Sequence, residues 1–154
     1  MLRHAAPEKI LVLHGPNLNL FGRREPHIYG TMTLEQINER LRTLAAKVQV
    51  QLIIVQSNVE GVLVDTFHKH MDEVAGALLN PGGLTQHSVS LHDAIKAMPF
   101  PVIEVHMSNI AAREEWRHHS IISSAAKGTV QGLGWRSYTA ALRALVELIR
   151  ETNK

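Results

Sequence analysis

The stretch KILVLHG, residues 9–15, is a short apolar run that ends in a histidine and a glycine. Its four consecutive aliphatic residues leave no polar face, which is typical of a strand buried on both sides of a sheet. The next periodic segment, residues 33–48, has apolar residues at helical spacing, and Thr33 and Gln36 predict a capping box at its start. A buried strand followed by an amphipathic helix indicates an α/β protein.

The same alternation continues along the chain. Four more strands are predicted, at residues 50–56, 77–80, 101–106 and 127–132. Three more helices are predicted, at residues 59–74, 88–98 and 135–153. In the first of these helices we expect an inward face made of Val59, Val62, Leu63, Thr66, Phe67 and Met71.

Strands that alternate with helices over short connections form a parallel sheet with helices on both faces. We therefore predict fold class α/β, with a flavodoxin-like doubly wound five-stranded parallel sheet in the order 2-1-3-4-5 and three layers, α/β/α. The length of 154 residues fits one domain spanning residues 1–154. Residues 1–8 are expected to form a flexible N-terminal extension.

Composition argues against several classes of protein. The 16 Lys and Arg residues against 14 Asp and Glu give a net charge of only +2, with no basic block, so no nucleic-acid partner is expected. The absence of cysteine excludes disulfides and thiolate metal sites. Because no apolar run approaches the roughly 20 residues that span a bilayer, and no signal-peptide pattern is present, we expect a cytoplasmic protein without a membrane partner.

Ligands of a doubly wound sheet bind beyond the carboxyl ends of its strands, so the residues that follow each predicted strand are informative. They are rich in amides, hydroxyls and imidazoles: HGPN at 14–17, SN at 57–58, NPGG at 80–83, HMSN at 106–109 and GLG at 132–134. A phosphoacceptor receiver protein needs carboxylates at these positions. The strand ends therefore argue against that class.

Dinucleotide and metal sites are also disfavoured. The stretch GLGWRS follows the last strand and has Ser137 where the third glycine of a dinucleotide fingerprint belongs. His68 and His70 are two residues apart on a predicted helix and point to different faces. The pair His118 and His119 has no acidic third ligand at a recognisable spacing. Solvated or capping histidines are the better interpretation of all four, and no metal site is predicted.

The loop NLFGRREPHIYG, residues 19–30, places a tyrosine near two adjacent arginines. From the residues alone, Tyr29 can be an aromatic that packs on a neighbour, and the arginines can be a solvated pair. Asn17 can be an Asx cap at the end of the first strand. Glu104 and His106 leave the same face of a strand, where they can simply satisfy one another. These structural alternatives stay open at this level.

Three blocks of the sequence resemble a known family: LVLHGPNLNLFGRREPHIYG at 11–30, LLNPGGLTQHSVSLHDA at 78–94 and IEVHMSNIAAREEWRHHS at 103–120. They are similar to the signature blocks of the type II 3-dehydroquinate dehydratases, which are small dodecameric enzymes of the shikimate and quinate pathways. The resemblance runs nearly end to end and includes the order and spacing of the blocks.

The resemblance implies an anti elimination of water from 3-dehydroquinate, through an enolate, to give 3-dehydroshikimate without a metal, Schiff base or other cofactor. Tyr29 matches the family's base. Because a free tyrosine has a pKa near ~10, a tyrosinate at neutral pH needs cations within ~4–6 Å. Arg24 matches the arginine that favours tyrosinate, and Arg113 is the expected second cation. The glycines and proline of the loop are then interpreted as hinges of a lid.

The resemblance also assigns the remaining steps of the elimination. Asn17 matches the asparagine that holds a water against the developing enolate oxygen. His106 matches the general acid, and Glu104 can orient its imidazole and favour the protonated form.

Substrate binding is implied for two further groups of residues. Asn80 and the backbone amides of Met107 and Ser108 are similar to the family's clamp on the substrate carboxylate. Arg117 and Asp93 match ligands of ring hydroxyls. In the family the aspartate comes from an adjacent subunit, so a homo-oligomer is expected, namely a dodecamer built from trimers.

The sequence departs from the family pattern at Gln86, which occupies the position of a histidine that binds a ring hydroxyl. Glutamine can donate or accept a hydrogen bond but cannot shuttle a proton, and His87 is a candidate to reach in from the next position. Ser137 stands where the family usually has glycine, and we expect it to affect helix packing. Gln86 leaves open a paralogue that acts on a related cyclic hydroxy-keto acid. A non-catalytic module that binds ring acids is a further alternative.

Overall fold

The computed structural model describes residues 5–154. Its five strands are β1 (Lys9–His14), β2 (Gln51–Gln56), β3 (Gly76–Asn80), β4 (Val102–His106) and β5 (Gly128–Gln131). All neighbouring pairs are parallel, and the order is β2-β1-β3-β4-β5. The predicted flavodoxin-like sheet and its strand order are therefore confirmed.

Within residues 5–154, five α-helices connect or follow the strands: α1 (Pro26–Tyr29), α2 (Leu34–Val48), α3 (Glu60–Lys69), α4 (Val89–Ala97) and α5 (Arg136–Thr152). Helices α2 and α5 cover one face of the sheet, and α3 and α4 cover the other. No helix within residues 5–154 is long and apolar enough to cross a membrane. The three predicted layers are confirmed.

Strand β1 contributes to both halves of the core. Ile10 and Val12 pack with α2 and α5, whereas Leu11 and Leu13 pack with α3 and α4. All four side chains are fully buried, so the strand exposes no polar face. This double burial is the physical reason for the uninterrupted apolar run at the start of the chain.

Helix α3 is shorter than predicted and its inward face is narrower. It ends at Lys69, and His70 follows it as a buried residue hydrogen-bonded to Glu73. Leu63 and Phe67 are fully buried, but Val59 and Val62, which we expected to face inward, are exposed. The prediction was wrong at both valines. Val59 precedes the helix, and Val62 lies beside the row of helix residues that contacts the sheet.

Glu8, the last residue of the predicted flexible extension, contacts the C-terminal helix. Its carboxylate accepts hydrogen bonds from Arg150 at 3.2 and 3.3 Å, and its carbonyl accepts one from the N–H of Gln51. The hydrogen bonding from Arg150 makes the largest contribution to lowering the pKa of the Glu8 carboxyl. Residues 5–7 of the predicted extension are exposed and belong to no helix or strand, and residues 1–4 lie outside the described residues.

The predicted capping box of α2 is present. The Thr33 hydroxyl accepts from the Gln36 N–H at 3.2 Å, and the Gln36 side chain accepts from the Thr33 N–H at 2.9 Å. Because α2 begins directly after the loop that carries Tyr29, this cap fixes where that loop ends.

We expect Thr33→Ala to lower the free energy of unfolding by about 1 kcal/mol, because it removes the hydroxyl that accepts the hydrogen bond from the Gln36 N–H. Urea unfolding followed by circular dichroism measures the change. Thr43→Ala, at an exposed position inside the same helix, is the matched control and should be neutral or slightly stabilising. Equal effects of the two substitutions would contradict a role for the cap.

Candidate active site

The candidate site lies where the order of the strands reverses, between the carboxyl ends of β1 and β3. The Gly15 N–H donates to the Asn80 carbonyl at 2.8 Å, which joins the turn after β1 to the turn after β3. A Cβ atom on Gly15 would lie 2.4 Å from the Pro81 carbonyl oxygen, so no other residue fits there. The two turns therefore form one rigid floor at the switch point, where doubly wound sheets bind their ligands.

Asn17 occupies the turn after β1 in the left-handed region, with φ of 67°. Its N–H donates to the Asn58 side-chain oxygen at 2.9 Å. Its own side chain makes no capping hydrogen bond to the following 3-10 turn and instead lines a pocket. The Asx-cap alternative is therefore wrong, and the Asn17 amide is available to a ligand.

The loop after this turn packs Tyr29 between cations. The Tyr29 ring lies 5.5 Å from the buried Phe21 ring, measured between centroids. The guanidinium carbons of Arg24 and Arg113 lie 4.9 and 5.3 Å from the centroid of the Tyr29 ring. The loop itself contains a strained residue, Glu25, with φ of 38°. Tyr29 is thus held on an aromatic support next to two positive charges.

His106 and Glu104 form a pair at the end of β4. The Glu104 carboxylate is fully buried, and one oxygen bonds His106 Nε2. Its other oxygen accepts hydrogen bonds from Ser120 at 3.1 Å and Ser123 at 2.7 Å. Nδ1 is therefore the nitrogen of His106 that is left for the pocket.

The charge of Glu104 is maintained by its partners. Burial alone would raise the pKa of this carboxyl, but the hydrogen bonds from His106, Ser123 and Ser120 outweigh burial and hold the pKa below its usual value. A carboxylate that stays ionised behind the imidazole orients the ring. The pair can therefore supply a proton to a group in the pocket.

Gln86 and Arg117 meet at the rim of the pocket. The Gln86 Nε2 donates to the Arg117 carbonyl at 3.1 Å, and the Arg117 Nε donates to Glu114 at 2.7 Å. Among residues 5–154, two buried side-chain atoms that can hydrogen bond have no partner, Gln86 Oε1 and Arg113 Nε. Both residues line the same pocket, so these atoms can bind a ligand there.

These side chains enclose a cavity of about 130 Å³. Its lining includes the guanidinium groups of Arg24, Arg113 and Arg117 but no carboxylate. A small enclosed site with three cations and no fixed anion favours an anionic ligand. The polar residues of the lining that the sequence predicted are Asn17, Arg24, Tyr29, Asn80, Gln86, His106, Ser108, Arg113 and Arg117.

Comparison with known proteins identifies the family. The sequence model of the family "Dehydroquinase class II" matches residues 8–146. The 3-dehydroquinate dehydratase of Halothermothrix orenii is 47% identical over 143 residues, which cover 93% of this chain and 97% of that protein. The chain belongs to the class II dehydroquinase family.

Solved structures of the family agree with this assignment. The type II dehydroquinase of Propionibacterium acnes superposes with a TM-score of 0.88 at 39% identity, covering 91% of this chain and 97% of that one. The type II dehydroquinase of Butyrivibrio crossotus also has a TM-score of 0.88, at 34% identity, and covers 90% of this chain and 97% of that one. The class II dehydroquinase fold thus extends over nearly the whole chain.

Three candidate residues lie outside the lining of the dehydroquinase pocket. Glu104 is behind His106 and contacts the pocket through it. His87 is exposed and does not reach in beside Gln86. Asp93 lies on α4 with its side chain 70% exposed, where it bonds His92. Met107 does line the pocket.

Several residues that support the site were not predicted from the sequence. Asn58 was noted only as a strand end, and its contact with Asn17 was not foreseen. Ser120, the last residue of the third block, and Ser123, which follows that block, both donate to Glu104, and neither was predicted to do so. Ser137, expected to affect helix packing, accepts a hydrogen bond from the Leu133 N–H and so braces the turn before α5. Local patterns did not point to the partners of Asn17 and Glu104, because these lie between 16 and 41 positions away in the sequence.

His14 was also missed, although it ends the first strand. It is fully buried between the Asn38 side-chain oxygen, at 2.9 Å, and the Tyr138 hydroxyl, at 3.0 Å. Burial lowers the pKa of His14 from 6.5 to about 4, and the hydrogen bond to Asn38 offsets only part of that effect. The imidazole is therefore neutral at physiological pH.

This pKa predicts a loss of stability in weak acid. Between pH 6.5 and about 4 the unfolded chain holds a proton on His14 that the folded chain does not, so lowering the pH through this range favours unfolding. We expect His14 to contribute a loss of about 3 kcal/mol between pH 7 and pH 4, because its pKa is 6.5 in the unfolded chain and about 4 in the folded one. Urea unfolding at several pH values measures it.

The matched variants are His14→Gln and, at an exposed position, His119→Gln. The first should flatten the dependence of unfolding free energy on pH between 7 and 4, and the second should leave it unchanged. Identical pH profiles for His14→Gln and the unsubstituted protein would show that His14 does not carry this dependence.

Proposed function

We propose that the protein is a 3-dehydroquinate dehydratase, which removes water from 3-dehydroquinate to give 3-dehydroshikimate. The observation that carries the proposal is the placement of Tyr29, between Arg24 and Arg113, in the same cavity as the His106 and Glu104 pair. A base and an acid around one small anion-binding cavity are what this elimination needs. The names of the relatives in the class II dehydroquinase family support the same substrate.

Tyr29 acts in this proposal as the base that takes the proton next to the ketone. Two guanidinium groups close to its ring stabilise a phenolate relative to a neutral phenol. Phe21 holds the ring from the side, so the oxygen keeps its position when the charge forms. The electron pair of the broken C–H bond moves onto the ketone oxygen and gives an enolate.

His106 completes the elimination by protonating the hydroxyl that leaves. The enolate collapses to a conjugated enone as the C–O bond breaks, and the hydroxyl departs as water with the proton from His106. The ionised Glu104 stabilises the charged imidazole beforehand. The Asn17 amide, which is free of capping bonds, is assigned to the enolate oxygen through a bound water.

The remaining polar groups bind the substrate. Asn80 with the backbone amides of Met107 and Ser108 is assigned to the carboxylate, since all three residues line the pocket near the end of β3 and β4. Arg117 and Gln86 are assigned to ring hydroxyls, with Gln86 Oε1 as an acceptor because its nitrogen already donates to the Arg117 carbonyl. The same reaction serves aromatic biosynthesis and quinate breakdown.

Gln86 also supports a second candidate, a paralogue that acts on a related cyclic hydroxy-keto acid. The Gln86 Oε1 atom can accept a hydrogen bond from a substrate hydroxyl. It would repel a negatively charged oxygen on the ring of the substrate. Comparison of kcat/KM for 3-dehydroquinate and for other ring acids separates the two candidates. A higher value for another ring acid would favour the paralogue.

The first test is formation of the conjugated enone of 3-dehydroshikimate, followed by ultraviolet absorbance with 3-dehydroquinate and added chelator. We expect turnover that the chelator does not reduce, and a loss of kcat of about 10²–10⁴-fold in Tyr29→Phe, because phenylalanine cannot accept a proton. His27→Gln, at an exposed position in the same short helix, is the control and should retain kcat.

Two results would contradict the proposal. Near-normal kcat in Tyr29→Phe would remove the tyrosinate base from the mechanism. Binding of 3-dehydroquinate without any enone, by protein that is folded by circular dichroism, would instead support the non-catalytic module.

We further propose that Asp93 serves the pocket of a neighbouring subunit in a homo-oligomer, with a dodecamer built from trimers as the expected assembly. Asp93 does not line its own pocket, yet it lies one turn after the exposed Val89 on the same face of α4. The neighbouring helix α3 has two more exposed valines at its start, Val59 at the N-cap and Val62 in the first turn. An apolar face with a carboxylate suits a contact between subunits.

Mixed oligomers test this assignment. Tyr29→Phe and Asp93→Asn should each be defective alone, the second through a raised KM. Subunit exchange between them should restore activity, because a subunit with intact Tyr29 can then meet a neighbour with intact Asp93. No gain after exchange, or a monomeric mass by light scattering, would contradict a shared site.

A further inference from the structure

We propose that Asn38, His14 and Tyr138 are positioning residues, which form a buried hydrogen-bonded chain that sets the orientation of the Asn80 amide in the active site. The inference rests on the proposed function, in which Asn80 binds the substrate carboxylate. It adds three residues to the machinery of the site, of which none lines the pocket.

The chain crosses the protein from α2 to the end of β3. Asn38 Oδ1 lies 2.9 Å from His14 Nε2, and His14 Nδ1 lies 3.0 Å from the Tyr138 hydroxyl. The Tyr138 oxygen lies 2.9 Å from Asn80 Nδ2, and the Asn80 Oδ1 lies 3.1 Å from the Gly82 nitrogen. The four side chains are all buried, with 7% exposure at most, at Asn38.

The direction of every bond follows from the backbone N–H of Gly82. That group can only donate, so the oxygen of the Asn80 amide faces Gly82 and the nitrogen faces Tyr138. The Tyr138 oxygen accepts there, and its own hydrogen must go to His14 Nδ1. His14 then carries its hydrogen on Nε2 and donates it to the Asn38 oxygen.

A neutral His14 is required for this order of donors and acceptors. A charged imidazole would donate from both nitrogens, and the Tyr138 hydroxyl would lose its acceptor. Burial, which lowers the pKa of His14, keeps Nδ1 as an acceptor, and burial likewise raises the pKa of Tyr138, so the phenol keeps its hydrogen. A neutral His14 and a protonated Tyr138 therefore require the same orientation of the Asn80 amide as the Gly82 N–H does.

The consequence for the site concerns the second hydrogen of the Asn80 amide. With one N–H bonded to Tyr138 and the oxygen bonded to Gly82, the other N–H is the group that Asn80 offers to the pocket. A rotated amide would direct its oxygen toward the place of a carboxylate and repel it. Holding the donor in place before binding avoids that cost when the substrate enters.

A purely structural role predicts a different outcome from a positioning role. If the buried groups only satisfy one another, removing a distant member lowers stability and leaves substrate affinity unchanged. If the chain sets Asn80, removing Asn38 changes the site although Asn80, Tyr138 and His14 are all intact. Without the Asn38 oxygen, His14 is expected to move its hydrogen to Nδ1 and donate it to Tyr138, whose hydroxyl then competes with Gly82 for the Asn80 oxygen.

The experiment therefore uses Asn38→Leu in the full-length protein. ¹⁵N NMR of histidine should show the Nε2–H tautomer of His14 in the unsubstituted protein and the Nδ1–H tautomer in the variant. KM for 3-dehydroquinate should rise about tenfold, as for a weakened hydrogen bond to a charged group, with kcat within about threefold. In an Asn80→Ala background, adding Asn38→Leu should not raise KM further, because the effect acts through Asn80.

Leu41→Ala, one turn along the buried face of α2, is the control for lost stability and should leave KM unchanged. If Asn38→Leu does not fold, Tyr138→Phe takes its place, with the same expected rise in KM and the same lack of additivity with Asn80→Ala. An unchanged KM, a rise in KM that adds fully to that of Asn80→Ala, or an Nδ1–H tautomer in the unsubstituted protein would overturn the inference. Absence of turnover by the unsubstituted protein would count against the proposed function, while the NMR result still decides the direction of the chain.

Discussion

The hydrogen bond from the Gly15 N–H to the Asn80 carbonyl joins the two turns on which the candidate site is built. It exists because β1 and β3 are adjacent and parallel, with His14 opposite Asn80, so their carboxyl ends arrive at the same edge of the sheet. The close approach leaves no space for a Cβ atom at Gly15. Asn17 and Asn80 then start from fixed backbone positions on either side of this bond.

The cations and the carboxylate near these two turns occupy different places. Cations line the cavity itself, where they favour an anionic ligand. The Glu104 carboxylate lies behind the His106 imidazole, where Ser120 and Ser123 satisfy its second oxygen. Glu104 therefore contacts the imidazole without placing an anion in the lining of the cavity.

Buried hydrogen bonds act at a distance from the cavity in the same way. Glu104 orients His106 from below, and the chain through His14 and Tyr138 reaches Asn80 from the other helical layer. The first series of hydrogen bonds ends in an ionised carboxylate, which can only accept, and the second ends in a backbone N–H, which can only donate. Such ends give the side chains between them a single consistent direction of donors and acceptors.

The sequence alone determined the architecture and most of the cavity lining. Apolar periodicity was sufficient to locate the strands and most of the helices, since burial on one or two faces leaves a local pattern. The alternation of these elements indicated the doubly wound strand order, and the capping box indicated the start of α2. It failed at Val59 and Val62, where the width of the buried face depends on how α3 packs. The sequence blocks were sufficient to name Tyr29 and the other candidate residues because the family resemblance lies in short contiguous motifs.

Only the tertiary structure decided how those residues are supported and which of them share one cavity. His14 and Tyr138 are 124 positions apart, and Glu104 meets Ser123 across 19, so no local pattern links them. The orientation of Gln86 likewise depends on the fold, because its nitrogen donates to the Arg117 carbonyl and its oxygen is left for a ligand. His87 is exposed and does not line the pocket. Local periodicity reports which face of an element is buried, whereas hydrogen-bond partners depend on which elements the fold brings together.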